Sequence, residues 1–167
     1  MIMRRLLLIS FLLLFFANHQ VNAQIAPFHG TVEILEMGAD STFVFQVTCS
    51  TAKKSDLKTI AEKTALYALL FDGVEGVNND EKIVKRNNRK YFENLFYNTD
   101  KHSPHNRFIE GAILEGDVTK LGNSEYQGTF NISVRYKALC REMKLQKLTE
   151  PDPALKENKQ NEKTDFR

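Results

Sequence analysis

His102 and His105 stand three residues apart with Asp100 just before them, and this is the grouping in the sequence whose donors suit a transition metal. Two imidazoles and a carboxylate can hold Zn or Ni. Such a pair chelates well when a helix stacks the two rings, but Pro104 lies between these histidines and predicts a loop. With no helical scaffold and no second ligand motif, a solvated loop is the expectation and no metal or other cofactor is implied. The competing reading is a small secreted metal-dependent hydrolase, in which His102 and His105 converge with Asp100 or Glu110 in a cleft.

Cys49 and Cys140 are the two thiols of the chain. A disulfide between them would close a loop of about 90 residues and add several kcal/mol if unstrained. The alternative, two separate buried thiols, fits the apolar alternation around Cys49. A reactive thiolate wants a neighbouring base or a helix N-terminus, and the sequence places neither beside these residues. Lys82, Lys85, Arg86, Arg89 and Lys90 form a basic run, followed by Tyr91 and Tyr97. On a helix, Lys82, Arg86 and Arg89 share a face suited to an anion, a polysaccharide or a protein partner. A solvated helix face is the bland alternative. These five are the expected partner-binding residues. No Gly-rich phosphate loop, nucleophile elbow or Ser/His/Asp arrangement is present, so no catalytic residue is assigned. Asn131-Ile132-Ser133 matches a glycosylation triplet, a match that arises often by chance.

The elements that must position these residues begin after a targeting segment. Residues 1–23 read as a secretory signal peptide: Arg4 and Arg5 precede the apolar stretch Leu6 to Ala17, and Val21-Asn22-Ala23 offers a cleavage site. About a dozen apolar residues fall short of the roughly 20 that span a bilayer, which disfavours the alternative of an uncleaved anchor. No cysteine follows the cleavage position, so lipid attachment there is not expected, and the destination is periplasmic or extracellular.

Two strands come next, Thr31 to Met37 and Thr42 to Cys49, with Phe43, Phe45, Val47 and Cys49 on one face. Ser55 is the expected N-cap of a helix from Asp56 to about Phe71, whose stripe Leu57, Ile60, Ala61, Ala65, Ala68 and Leu69 faces a sheet. Gly73 suits a left-handed helix end. A second helix is expected within Asn78 to Asn98, then a loop through Pro104. Arg107 to Lys120 and Glu125 to Tyr136 form a second hairpin. In its later strand Tyr126, Phe130, Ile132, Val134 and Tyr136 point one way. A last helix runs from Lys137 to about Leu148. The order β-β-α-α-β-β-α implies an α+β domain over 24–148, an antiparallel sheet of about four strands with two to three helices on one face. Residues 149–167 read as a disordered polar tail, or else a helix that orders on a partner.

Composition narrows the function classes. The chain is 42% hydrophobic and 26% charged, with 8 Gly, 4 Pro and 2 Cys, which excludes collagen-like, disulfide-dense and wholly disordered proteins. Its formal charge is +2, but Arg4 and Arg5 supply that excess. The exported chain is neutral, so no nucleic-acid partner is expected.

The stretches AEKTALYALLFDGVEG at Ala61–Gly76 and ISVRYKALCREM at Ile132–Met143, in this order of strand, Ala-rich helix, hairpin and closing helix, resemble the N-terminal domain of the flagellar assembly protein FlgT and related small outer-membrane lipoproteins. The resemblance spans roughly Phe43 to Met143. This chain departs from that pattern in having no lipid-attachment cysteine and in its extra segment at Asn78–Asn98. The resemblance implies an α+β assembly module with no catalytic residue to carry over. The expected function is therefore an exported, non-enzymatic bacterial envelope protein that binds an envelope or secretion-apparatus protein.

Overall fold

A computed structural model describes residues 28–38, 41–98, 103–122 and 124–150; the proposed signal peptide and all but the first two residues of the polar tail lie outside them. Strand β1 (Gly30–Met37) pairs antiparallel with β2 (Thr42–Thr51), and a bulge at Leu35 shifts the register between Ile34 and Glu36. β3 (Ile109–Leu121) and β4 (Glu125–Arg135) make the second hairpin. β2 also pairs antiparallel with β4, so the two hairpins lie side by side in the order β1-β2-β4-β3. Helices α1 (Leu57–Tyr67), α2 (Arg89–Tyr97) and α3 (Tyr136–Leu145) pack on one face, as the α+β reading expects.

Alternation decides which face is covered. Phe45, Val47 and Cys49 on β2 and Phe130, Ile132 and Val134 on β4 are buried, and they meet Ala61, Ala65, Leu66, Leu69 and Leu70. The alanines let α1 approach the sheet closely. Phe92, Leu95 and Phe96 of α2 and Leu139 and Met143 of α3 complete the core.

Two local expectations are corrected. Ser55 does not cap α1. Its hydroxyl donates to Asp56 Oδ1 (2.9 Å), and a 3-10 turn at Lys54–Asp56 leads into the helix. Helix α1 then widens into a π turn over Ala68–Asp72, closed by the Gly73 N–H on the Ala68 carbonyl (2.9 Å). Gly73 has φ 89° and ψ 154°, a positive-φ extended conformation rather than the left-handed helical one. A Cβ at Gly73 would strike the Asp80 carbonyl oxygen.

The helix expected within 78–98 is confined to Arg89–Tyr97. Asn78, Asn79 and Asp80 all take left-handed conformations (φ 53°, 56° and 62°), which Asn and Asp tolerate but no right-handed helix accommodates. Beyond them the chain forms a strap. Ile83 and Val84 donate backbone N–H groups to the Leu69 and Leu70 carbonyls left open by the π turn, and Lys85 and Arg86 donate to the Leu148 carbonyl. Asn88 starts α2 by accepting from the Tyr91 N–H (3.2 Å).

Candidate functional site

Two features stand out: an uncovered sheet face and a buried polar cluster beside a cleft. Residues paired across an antiparallel sheet share a face, so the register reads out the uncovered side. Its middle row is Glu33, Gln46, Asn131 and Ile113. Thr31, Thr48, Thr129 and Glu115 form the next row. Among the described residues no helix covers these rows.

Several outward carboxylates are braced by polar side chains of β2. Thr42 Oγ1 donates to Glu110 (2.9 Å), Gln46 Nε2 to Glu115 (2.7 Å), and Ser50 Oγ to Glu125 (2.5 Å). Thr42, Gln46 and Ser50 recur every fourth residue on one face, a repeat of about 13 Å at the usual strand rise. Together the four strands carry Glu33, Glu36, Glu110, Glu115, Asp117 and Glu125 against only Lys120 and Arg135. Ile113, on the edge strand β3, is 70% exposed. The Asn131 carboxamide oxygen beside it is enclosed and has no hydrogen-bond partner.

The buried cluster joins α1 to the 3-10 turn Pro104–Phe108. His105 is 2% exposed and Glu62 and Ser103 are also buried. Ser103 Oγ lies 2.7 Å from His105 Nδ1 and 2.9 Å from the Asn98 carbonyl, while His105 Nε2 lies 3.4 Å from Glu62 Oε2. The residue types are those of a nucleophile–base–acid relay, but the protons do not fit one. A hydroxyl has one proton, and the Asn98 carbonyl can only accept it, so Nδ1 carries the hydrogen shared with Ser103. Nε2 is then the ring atom that faces Glu62. Ser103 thus has no free proton for His105 to remove, and its hydroxyl is a tether.

The solvated-loop expectation for His105 is corrected accordingly: its ring is fixed in the interior by Glu62, which lies on a helix 43 residues away in sequence. Lys58 Nζ adds a second, looser counter-charge at 3.9 Å from Glu62. A cleft of about 570 Å³ opens beside this cluster between α1 and the start of β3, with Lys58, Lys63, Asn106 and Glu110 on its walls. Burial lowers the Lys63 pKa, with Glu62 opposing the shift.

His102 and Asp100 lie outside the described residues, and no group of three or more metal-ligating side chains occurs among the described ones. This disfavours the metal-dependent hydrolase.

No protein-family model, curated protein or solved structure matches the chain.

The basic residues are distributed along the strap and α2. Lys85 pairs with Glu81 (3.3 Å) and Arg89 with Glu93 (2.6 Å), both on the surface, and Lys82 lies close enough to Asp72 to oppose the burial that raises its carboxyl pKa. Only Arg89 and Lys90 of the five stand on the helix. Tyr91 is half-buried; its hydroxyl donates to Glu142 (3.3 Å) and accepts from Arg107 (3.2 Å). Burial, reinforced by Glu142, pushes its pKa up to about 12.

Cys49 and Cys140 are free thiols. Cys49 donates to the Leu57 carbonyl (3.7 Å) and burial pushes its pKa up to about 11, so it is held as an inert thiol. Burial also raises Cys140, against the lowering effects of Tyr136 and Lys144.

Sequence reading missed Glu62, Ser103 and the outward acids. Glu62 had a signal: it adjoins Ala61 and precedes Leu66 by one helical turn, at the margin of the apolar stripe.

Proposed function

We propose that this chain is an exported, non-enzymatic envelope protein that acts as a protein-interaction or assembly module, docking its partner on the uncovered sheet face. The observation that carries the reading is that face itself: the braced carboxylates of Glu110 and Glu115 flank the exposed Ile113 along β3, while the opposite face is filled by helices. A sheet with one side filled and the other carrying an apolar residue within an ordered polar frame is suited to receive another surface. Export is supported by the charged, apolar and small-residue regions of 1–23. The resemblance in element order to the FlgT N-terminal domain supports an assembly role.

The test is recovery of partners from the envelope of the native host. With Ile113→Glu, partners retained by the wild type are expected to be lost while the fold, followed by circular dichroism, is kept. Unchanged recovery overturns the sheet-face assignment. The basic run Lys82, Lys85, Arg86, Arg89 and Lys90 is the second candidate surface, and reversal at Arg86 and Arg89 tests it in the same experiment. Stoichiometric zinc uptake lost in a His102→Ala/His105→Ala variant would instead restore the hydrolase reading.

A further inference from the structure

We infer that the occupant of the uncovered sheet face is a second copy of this chain, presenting the surface around α3 and stacking head to tail. The inference rests on the docking role proposed above for that face. Its basis is a segregation of charge that the overall balance conceals. The strands carry six acids and two bases. The α3 surface is the reverse. Arg141, Lys144 and Lys147 are exposed around Leu145, itself 67% exposed, and none of these three cations pairs with an acid among the described residues.

Each surface therefore has an exposed aliphatic residue in a field of one sign: Ile113 between Glu110 and Glu115 on one edge strand, with Glu33 on the other edge of the same face, and Leu145 among Arg141, Lys144 and Lys147. Bringing them together buries both aliphatics and sets opposite charges at the rim, where they steer encounter and fix register. Packing two sheet faces against each other would instead oppose Glu33, Glu36, Glu115 and Glu125 with their own copies. Like charges disfavour that closed pairing. The complementary contact is heterologous, because it joins two different surfaces that adjoin at the cleft between Glu110 and Arg141, so every added copy leaves one acidic and one basic surface unused.

The size of the face sets the strength. Four strands about 4.8 Å apart and about eight residues long cover roughly 500 Å². Contact with a second copy would bury about 1,000 Å² in total, at the low end for specific interfaces, so association belongs in the micromolar range or weaker.

The experiment is sedimentation equilibrium of the protein purified in the form the cell accumulates. Between about 10 and 500 µM at ~20 mM salt, the average mass is expected to rise above the monomer. It should return to the monomer at ~500 mM salt, where screening shortens the reach of the charges. Glu33→Lys/Glu115→Lys and Arg141→Glu/Lys144→Glu should each weaken association at least tenfold. An equimolar mixture of the two variants should restore it, because each reversed face meets its complement; that rescue also shows both variants to be folded. A wild type that stays monomeric at ~500 µM in low salt overturns the inference. So does association that survives both reversals, or a mixture that does not recover. If the wild type is monomeric but Ile113→Glu still loses an envelope partner, self-stacking falls and the docking role stands; if Ile113→Glu also loses nothing, both fall.

Discussion

Replacing His105 by Ala tests whether the Glu62–His105–Ser103 cluster is a structural tether. The substitution deletes a ring that is 2% exposed and removes both of its hydrogen-bonding contacts, at 2.7 Å to Ser103 and 3.4 Å to Glu62. Leaving a buried carboxyl group without its partner costs about 3 kcal/mol or more. Two features reduce that here. Glu62 keeps the Lys58 ammonium at 3.9 Å, and it borders an open cleft through which water can reach the carboxylate. The expected loss is therefore about 2–3 kcal/mol. Glu62→Leu leaves His105 Nε2 without its partner but exposes no charge, and should cost about 1–2 kcal/mol. The double variant Glu62→Leu/His105→Leu replaces both polar groups with apolar ones and should lose no more than about 1 kcal/mol. The singles are thus predicted to be strongly non-additive. Urea unfolding at pH 7 measures all three as shifts in midpoint at constant slope. A His105→Ala loss below about 0.5 kcal/mol would refute the tether, as would a double variant whose cost equals the sum of the singles.

Other outcomes follow from single positions. Gly73→Ala should destabilise by about 3 kcal/mol, because φ 89° with ψ 154° is a glycine conformation and the new Cβ meets the Asp80 carbonyl; thermal unfolding measures it. The Cys49 thiol sits near 11 in the fold against 9.0 unperturbed, so between those values the unfolded chain binds fewer protons than the native one. Stability should then fall as pH rises from 9 toward 11, by at most about 2 kcal/mol, and urea midpoints across that window should lose this slope in Cys49→Ala. Asn131→Thr removes an enclosed oxygen with no partner from a central strand and should raise the urea midpoint, by the equivalent of about 1 kcal/mol. A destabilised Asn131→Thr would mean that the amide is satisfied in solution.

Where a single element fixes a residue's surroundings, the sequence was informative. Phe43 to Cys49 and Tyr126 to Val134 alternate because each strand has one buried face, and that parity placed both hairpins and the covered side of the sheet. The second helix failed for an identifiable reason. Ile83 and Val84 are buried as a helical stripe would require, but a strap held by the Leu69 and Leu70 carbonyls buries them instead. Those acceptors are open carbonyls in the last turn of the helical segment, and periodicity does not encode which part of the chain fills them. His105 failed in another way: Pro104 correctly signals a non-α segment, but burial of that segment depends on Glu62, far away in sequence.

Charge was legible as a balance and illegible as an arrangement. Glu33 sits in β1 and Glu110 and Glu115 in β3, at the two edges of the sheet, and nothing in the spacing between 33 and 110 places them on one surface. That takes the pairing of β2 with β4, which joins the hairpins, and the reach of the Glu110 and Glu115 side chains of β3 across β4 to Thr42 and Gln46. The cations of 141–147 are close in sequence, but they form an exposed surface only because Leu139 and Met143 turn the opposite side of α3 into the core. A neutral balance excludes a large uniform field, yet it is compatible with a molecule whose two sides attract each other's copies. Reversing both surfaces within one chain separates these effects. Glu33→Lys/Glu115→Lys/Arg141→Glu/Lys144→Glu leaves net charge unchanged and should stack with itself, as the wild type does, while binding wild type at least tenfold more weakly. Equal mixing of the fourfold variant with wild type in sedimentation experiments would contradict a contact made between the sheet and α3.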